Sequence, residues 1–246
     1  LSFKVFAEPK VLQRSERNRF RDFTRIHVGG SGTYEVRARI TPSLESRTVI
    51  GGDEAFQDGA ILFYQLTPSG GRGDTLIANR REAANSAGGF LEQELRWHDH
   101  WSARVALRFD NMHYLSEDHM VPALNAAKTF SRVTPKGSLS YRLERHTIYA
   151  SLGGGVEAPA FNEIDPPAPF DVITSLNPFL EAMRSTTYEL GAKGRVSELA
   201  RLGQIRYDVA LYWIDALNDI VPWDNGAYFL NAGRSRRRGV ELGLDW

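Results

Sequence analysis

The 246 residues contain no cysteine. That excludes a disulfide framework, thiolate chemistry and Cys-ligated zinc. Net charge is absent as well, with 30 Lys and Arg against 30 Asp and Glu. The balance argues against a nucleic-acid binder built on a basic face and against an acidic disordered tail. No apolar run approaches the roughly 18–20 residues of a spanning helix. The opening Leu1-Ser2-Phe3-Lys4-Val5 lacks a secretory signal layout and reads as a processed chain or a fragment. A Gly-x-Ser-x-Gly elbow and a His-Glu-x-x-His pair are both missing. Gly29-Gly30-Ser31-Gly32 and Gly153-Gly154-Gly155 precede no helix pattern, so neither is a phosphate loop. What remains is 42% apolar and 24% charged, as in a globular domain or a β-barrel. A transmembrane barrel hides its apolar half in alternation, so such averages do not exclude a membrane.

Period-2 alternation runs through most of the chain. Trp101, Ala103, Val105, Leu107 and Phe109 point one way, against Ser102, Arg104, Arg108 and Asp110. Val133–Leu143, Ile205–Trp213, Tyr34–Ile40 and Val240–Trp246 repeat the pattern. The polar parity is dense in Arg and Glu. The apolar parity carries Trp97, Trp101, Tyr141 and Trp246 near one end, beside short connections. That distribution predicts an aromatic girdle at a membrane interface.

Short connections are expected at Thr41–Ser46, His98–His100, Glu144–Arg145 and Ala200–Gly203. Long ones are expected at Leu12–Arg19, Thr67–Glu82, Leu115–Lys128, Pro159–Arg184 and Pro222–Ala227. The two classes alternate, as in an up-and-down antiparallel barrel with short periplasmic turns and longer outside loops. Segments such as Arg47–Leu66 and Tyr228–Trp246 exceed the roughly 9–11 residues that span a bilayer. The fold class is therefore all-β: about ten strands of a transmembrane barrel, the first running outward.

Five stretches in the second half resemble, in order, the barrel of TonB-dependent outer-membrane receptors. Tyr149-Ala150-Ser151-Leu152-Gly153-Gly154-Gly155-Val156-Glu157-Ala158-Pro159-Ala160-Phe161-Asn162-Glu163 is similar to the family's strand ending in a FRAP-x-FNEL box. Asn177-Pro178-Phe179-Leu180 is similar to its NPxL box, and Ser185–Gly191 to its S-x-x-YELG strand. Tyr207–Trp213 with Asn218–Val221, then Asn231-Ala232-Gly233 with Arg238–Leu242, complete the series. Residues 1–145 carry only weak boxes. The resemblance implies a slice of a wider barrel of about twenty-two strands, with residues 1–246 all barrel and no plug domain or TonB-contacting motif. It further implies an energised receptor in the cell outer membrane. That receptor takes up a ferric siderophore, cobalamin or a similar bulky nutrient. Its partners would be outer-membrane lipid and lipopolysaccharide, the missing plug and remaining strands, and the TonB complex acting through the plug. No cofactor and no nucleic acid are implied.

The ligand-facing candidates lie in the outside loops: Phe161, Asn162, Asp165, Phe170, Asn177, Trp223, Asn225 and Tyr228. Loops as long as Pro159–Arg184 are uncommon unless functional, and this one is rich in Phe, Ile and Pro. His98-Asp99-His100 has metal-ligand spacing but sits in an expected turn. His113 and His119 are expected in an outside loop. No histidine follows Thr147, which weighs against haem. Asp53, Glu54 and Asp58, or Asp215 and Asp219, are read as lumen charges rather than catalytic pairs. Arg234-Ser235-Arg236-Arg237-Arg238 is the strongest basic cluster, placed just above the membrane belt with Arg237 facing in. Two other readings stand beside this one. One is a complete small outer-membrane barrel acting as an enzyme or pore, in which Leu1–Ala7 pairs with Tyr228–Trp246. The other is a soluble all-β binding module.

Overall fold

The computed structural model describes residues 1–16, 19–161, 163–197 and 203–246. Ten strands form one antiparallel sheet: β1 (Ser2–Glu16), β2 (Arg19–Thr41), β3 (Leu44–Leu66), β4 (Arg72–Trp97), β5 (Trp101–Asp118), β6 (Ala126–Leu143), β7 (His146–Glu157), β8 (Met183–Ser197), β9 (Gln204–Leu217) and β12 (Arg234–Asp245). Neighbours pair in chain order, β1 through β9 and then β12. A separate hairpin, β10 (Ile220–Trp223) with β11 (Tyr228–Asn231), is inserted between β9 and β12.

Register sorts the side chains into two faces. One row reads Ala38, Ser46, Leu95, Ala103, Leu139, Ala150, Leu190, Leu211 and Val240 across nine strands. These residues belong to an exposed apolar face, with Val105 at 62%, Leu211 at 51% and Val240 at 68%. The opposite face carries Arg37, Arg47, Glu94, Arg104, Ser138, Ser151, Glu189 and Tyr212 in one row. Arg108, Lys136, Arg142 and Arg206 share its parity, as the alternation predicts. A one-residue slip would exchange the two faces, so register is strongly specified here. Trp97, Trp101 and Tyr141 stand side by side next to the short turns, Trp101 and Tyr141 with ring centroids 4.6 Å apart. An exposed, contiguous aliphatic band closed by aromatics does not suit a soluble module.

β1 pairs with β2 alone and β12 with β9 alone, so the described strands form an open sheet. The small closed barrel required β1 against the C-terminal strand, and that pairing is not made. The segment Tyr228–Trp246 is two strands rather than one, because Tyr228–Asn231 pairs with Ile220–Trp223.

Three expected long loops are largely strand instead. Leu12–Glu16 stays in β1 and Arg19 begins β2; Arg17 and Asn18, between them, lie outside the described residues. Thr67–Glu82 shrinks to a tip between Leu66 and Arg72, and Leu115–Lys128 to the stretch between Asp118 and Ala126. Polar cross-strand contacts accompany these extensions. Arg81 meets Asp58 at 2.8 Å and Glu117 at 2.9 Å across neighbouring strands, and Gln13 donates to Asp22 at 3.1 Å. Up here the charged face also takes in Phe23, Ile61, Phe63, Tyr114 and Phe130 while the other face turns polar, so the alternation of the band is lost although the ladder continues. The turn expected at Ala200–Gly203 lies mostly outside the described residues. Among the described residues no helix is long and apolar enough to cross a membrane, which leaves strand crossing open.

Candidate ligand-facing site

The long segment between Glu157 and Met183 does not stand free. It folds back onto the upper part of the charged face. There Ile164, Leu176 and Leu180 bury against Ala84, Tyr114 and Phe130. The Tyr114 hydroxyl donates to the Pro159 carbonyl at 2.8 Å, and Lys128 Nζ donates to the Asn177 and Pro178 carbonyls at 3.0 Å. Asn177 is 1% exposed and fully engaged. Its Nδ2 donates to the Phe229 carbonyl at 3.1 Å, and its Oδ1 accepts the Phe179 amide at 3.0 Å. It clamps the loop to the β10–β11 hairpin.

Under the near edge of this loop lies a cleft of about 180 Å³. Lys10, Arg21, Arg25, Arg80, Phe23, Phe63, Phe161 and Asp165 line it. Rings and guanidiniums interleave. Arg19 sits 3.7 Å from the Phe63 centroid, and Arg25 sits 4.6 Å from Phe23 and 4.7 Å from Phe161. Arg25 also meets Glu82 at 2.7 Å, and Arg80 meets Asp118 at 3.3 Å and Asp165 at 3.6 Å. Burial pushes the Glu82 carboxyl above the usual carboxylate range, against the pull of Arg25. The Nε atoms of Arg21 and Arg25 are buried without a hydrogen-bond acceptor. An acceptor supplied from the cleft would satisfy them.

Lower on the same face an ion lattice surrounds Glu94. Arg96, Arg104 and Arg47 approach its carboxylate at 2.8, 3.1 and 3.6 Å. Arg47 also meets Glu35 at 2.8 Å and Glu92 at 3.1 Å. A cavity of about 630 Å³ opens over Arg37, Arg39, Arg47, Arg96 and Arg104.

Seven of the eight sequence candidates are described, and they separate into three places. Phe161 and Asp165 line the cleft. Asn177 holds the loop, and Phe170 packs edge-to-face on Phe179 with centroids 4.8 Å apart. Trp223, 57% exposed, faces Tyr228 across the hairpin, with Asn225 at its tip in a left-handed conformation, φ 54°. Asn162 lies outside the described residues. His113 is not in a loop: it belongs to β5, on the parity of the apolar face, and contacts Thr129 at 2.8 Å. Above the apolar band Met112 and Tyr114 stand on the charged face and Asn111 and His113 on the other, a reversal of the alternation that hid the strand extension. His98-Asp99-His100 is a tight turn, with His98 and Asp99 at positive φ. Among the described residues no cluster of metal-ligating side chains occurs. The cleft's arginines escaped notice because they sit on strands. Their signal was present as Arg19-x-Arg21-x-Phe23-x-Arg25, an i+2 repeat that puts all four on one face.

An open all-β wall with one aliphatic face, one charged face and a loop folded onto the latter defines a section of an outer-membrane-type barrel. A sequence model of the TonB dependent receptor-like β-barrel matches residues 8–246, and the chain belongs to that family. TonB-dependent receptors are outer-membrane barrels. Solved structures agree in fold. The ferric citrate transporter FecA, unliganded, superposes with TM-score 0.73 at 15% identity, over 98% of this chain and 36% of that one. The ferric yersiniabactin uptake receptor FyuA from Yersinia pestis gives 0.68 at 15%, over 99% and 37%. A Serratia marcescens haemophore receptor HasR double mutant, in complex with HasA and heme, gives 0.69 at 16%, over 92% and 40%. This chain thus spans well under half of each of those chains.

Proposed function

We propose that residues 1–246 are barrel wall and outer loops of an energised outer-membrane transporter. The plug that fills the lumen and contacts the TonB complex would belong to the remainder of the receptor. The upper cleft would take an anionic, ring-bearing chelate of the ferric siderophore class. The observation that carries this reading is the pair of buried Nε donors on Arg21 and Arg25, set among Phe23, Phe63 and Phe161. Guanidiniums suit carboxylate, catecholate or hydroxamate oxygens, and rings suit planar ligand groups. Cobalamin fits less well, because nothing in the cleft favours a large ligand over a charged one.

The test is ligand binding to the intact receptor, followed by uptake in cells with and without the TonB complex. Arg21→Ala with Arg25→Ala should weaken binding of an anionic ferric chelate by at least about tenfold, as two charge-assisted contacts are lost. Unchanged affinity would move the ligand elsewhere, and uptake without TonB would remove the energised mechanism.

A further inference from the structure

Cations on the charged face are of two kinds. On β3–β5 they are tied. Arg47, Arg96 and Arg104 share the Glu94 carboxylate, and Arg108 holds Asp53 and Asp110. On β6 they are free. Arg132, Lys136 and Arg142 lie on the parity of the charged face. Among the described residues none of these three side chains makes an ion pair or a hydrogen bond. Arg132 Nε is buried without an acceptor, whereas Lys136 and Arg142 are exposed. β6 itself carries no carboxylate that could neutralise them.

Each of the three lines a cavity of its own. Arg132 borders one of about 270 Å³, Lys136 one of about 550 Å³ and Arg142 one of about 260 Å³. Their order follows the strand downward from the folded-back loop to the short turn at Glu144. From Arg132 to Arg142 the strand runs about 33 Å, or about 23 Å along the axis at a tilt of about 45°. That is close to the ~25 Å height of a barrel's apolar band. The wall beside this column is low. Lys136 pairs with Gly153 and Ser138 with Ser151, and Thr187 follows Gly153 on β8. The column also connects upward. Phe161 and Asp165, near the start of the long loop, line the upper cleft, and Leu180 and Ala182, at its end, line the Arg132 cavity.

An anion in transit must be held well enough to enter each station and weakly enough to leave it. The tied arginines serve this poorly. Taking one of them from Glu94, which is 3% exposed, would leave a buried carboxylate short of its partner. An exposed cation without a partner attracts an anion modestly and gives it up. We propose that β6 is the wall of the ligand's route through the barrel, with Arg132, Lys136 and Arg142 passing an anionic chelate downward in steps. The proposal rests on the uptake of such a chelate argued above, and it assigns the route to the sector of the wall beside the ion lattice rather than across it.

The experiment is uptake by cells carrying the intact receptor. The probes are ferric citrate and a ferric tris-catecholate, each labelled with radioactive iron. Binding to de-energised cells is read beside uptake, as is sensitivity to vancomycin, which enters when a plug is unseated. R132Q/K136Q/R142Q should bind the transported probe as the wild type does and stay resistant to vancomycin. It should take the probe up at least about tenfold more slowly, and each single glutamine variant about twofold more slowly. R132K/K136R/R142K should keep the wild-type rate. R206Q, on the charged face of β9 and also without an ion pair among the described residues, should change nothing. Unchanged uptake in the triple and single variants, an equal loss in R206Q, weakened binding, or new vancomycin sensitivity would each overturn the route. The last of these would make the three cations plug contacts instead. A wild type that takes up neither chelate would remove the anionic-transport reading, and the route with it.

Discussion

Arg108 reaches Asp53 across an intervening strand. Its Nη1 and Nη2 lie 2.8 and 2.9 Å from the two carboxylate oxygens, while its Nε donates to Asp110 at 2.7 Å. Asp53, Gly88 and Asp110 occupy one register row, on β3, β4 and β5. The guanidinium passes over Gly88 because nothing is there. A Cβ at that position would lie 2.3 Å from Arg108 Nη2 and 2.9 Å from Asp110 Oδ1.

Gly88→Val should therefore break the fork and cost about 1–3 kcal/mol, the range for disturbing a partly exposed ion-pair network. Gly89→Val is the contrast. It points to the apolar face, and a Cβ there meets only the Gly51 carbonyl at 3.8 Å. It should cost under about 1 kcal/mol or stabilise, since glycine weakens a strand interior. Denaturant titration of the receptor refolded in lipid reads both; equal costs would remove the role given to the bare backbone at Gly88.

The two faces differ in what they tolerate. Leu107 and Leu211 sit in the aliphatic band, each more than half exposed, and each has an apolar neighbour in its row. Replacing either with Arg should cost roughly 2–4 kcal/mol near the bilayer midplane. Ser138→Arg, in the row of Arg104 and Glu189, should cost far less. Equal penalties would reverse the assignment of the lipid face.

The sequence shows this division wherever one face must be apolar. From Trp101 to Phe109 alternation is unbroken, and strand, face and girdle all follow from it. Above Phe109 the same β5 continues, but Met112 and Tyr114 put apolar groups on the charged face while Asn111 and His113 make the other face polar, so the period-2 pattern of the band is inverted. His113, Glu117 and Asp118 read as loop, yet the strand pairs with β4 up to Asp118 and with β6 up to Ser116. The candidate site was half legible for a related reason. Phe161 and Asp165 stood out in an unusually apolar loop, whereas Arg21, Arg25 and Arg80 looked like ordinary strand charges. Only the fold-back of the loop brings the two groups together.

Glu82 makes the cleft sensitive to acid. Burial raises its carboxyl above the usual range, so it takes up a proton sooner than an exposed glutamate as pH falls. Protonation removes a negative charge beside Arg25, and anion binding strengthens. Affinity for a sulfonated aromatic probe, whose own charge stays constant, should rise from neutral toward mildly acidic pH. In Glu82→Gln it should be higher at neutral pH and rise less, the remaining slope belonging to Asp165, whose carboxyl burial also raises in this cleft. Calorimetry on the intact receptor reads both profiles, and a parallel slope in the variant would assign the sensitivity to another group.

The last expectation concerns the chain by itself. β1 and β12 each have one neighbour, so one edge of Ser2–Glu16 and one edge of Arg234–Asp245 carry unpaired backbone groups. In hydrocarbon each unpaired N–H or C=O costs several kcal/mol. Closing the ten strands on themselves would remove that cost only by changing tilt and shear together. It would also compress the lattice of Arg37, Arg47, Glu94, Arg104 and Arg108 into a narrower bore. Residues 1–246 expressed alone should therefore not insert as a monomeric, ligand-gated transporter. They should associate edge to edge or remain outside the bilayer, and should not restore uptake to a receptor-deficient strain. Heat-modifiable migration on gels after refolding into vesicles, beside uptake assays, reads both outcomes. A monomeric inserted species with energised uptake would mean that ten strands close around this charged face, and the wider-barrel reading would have to be given up.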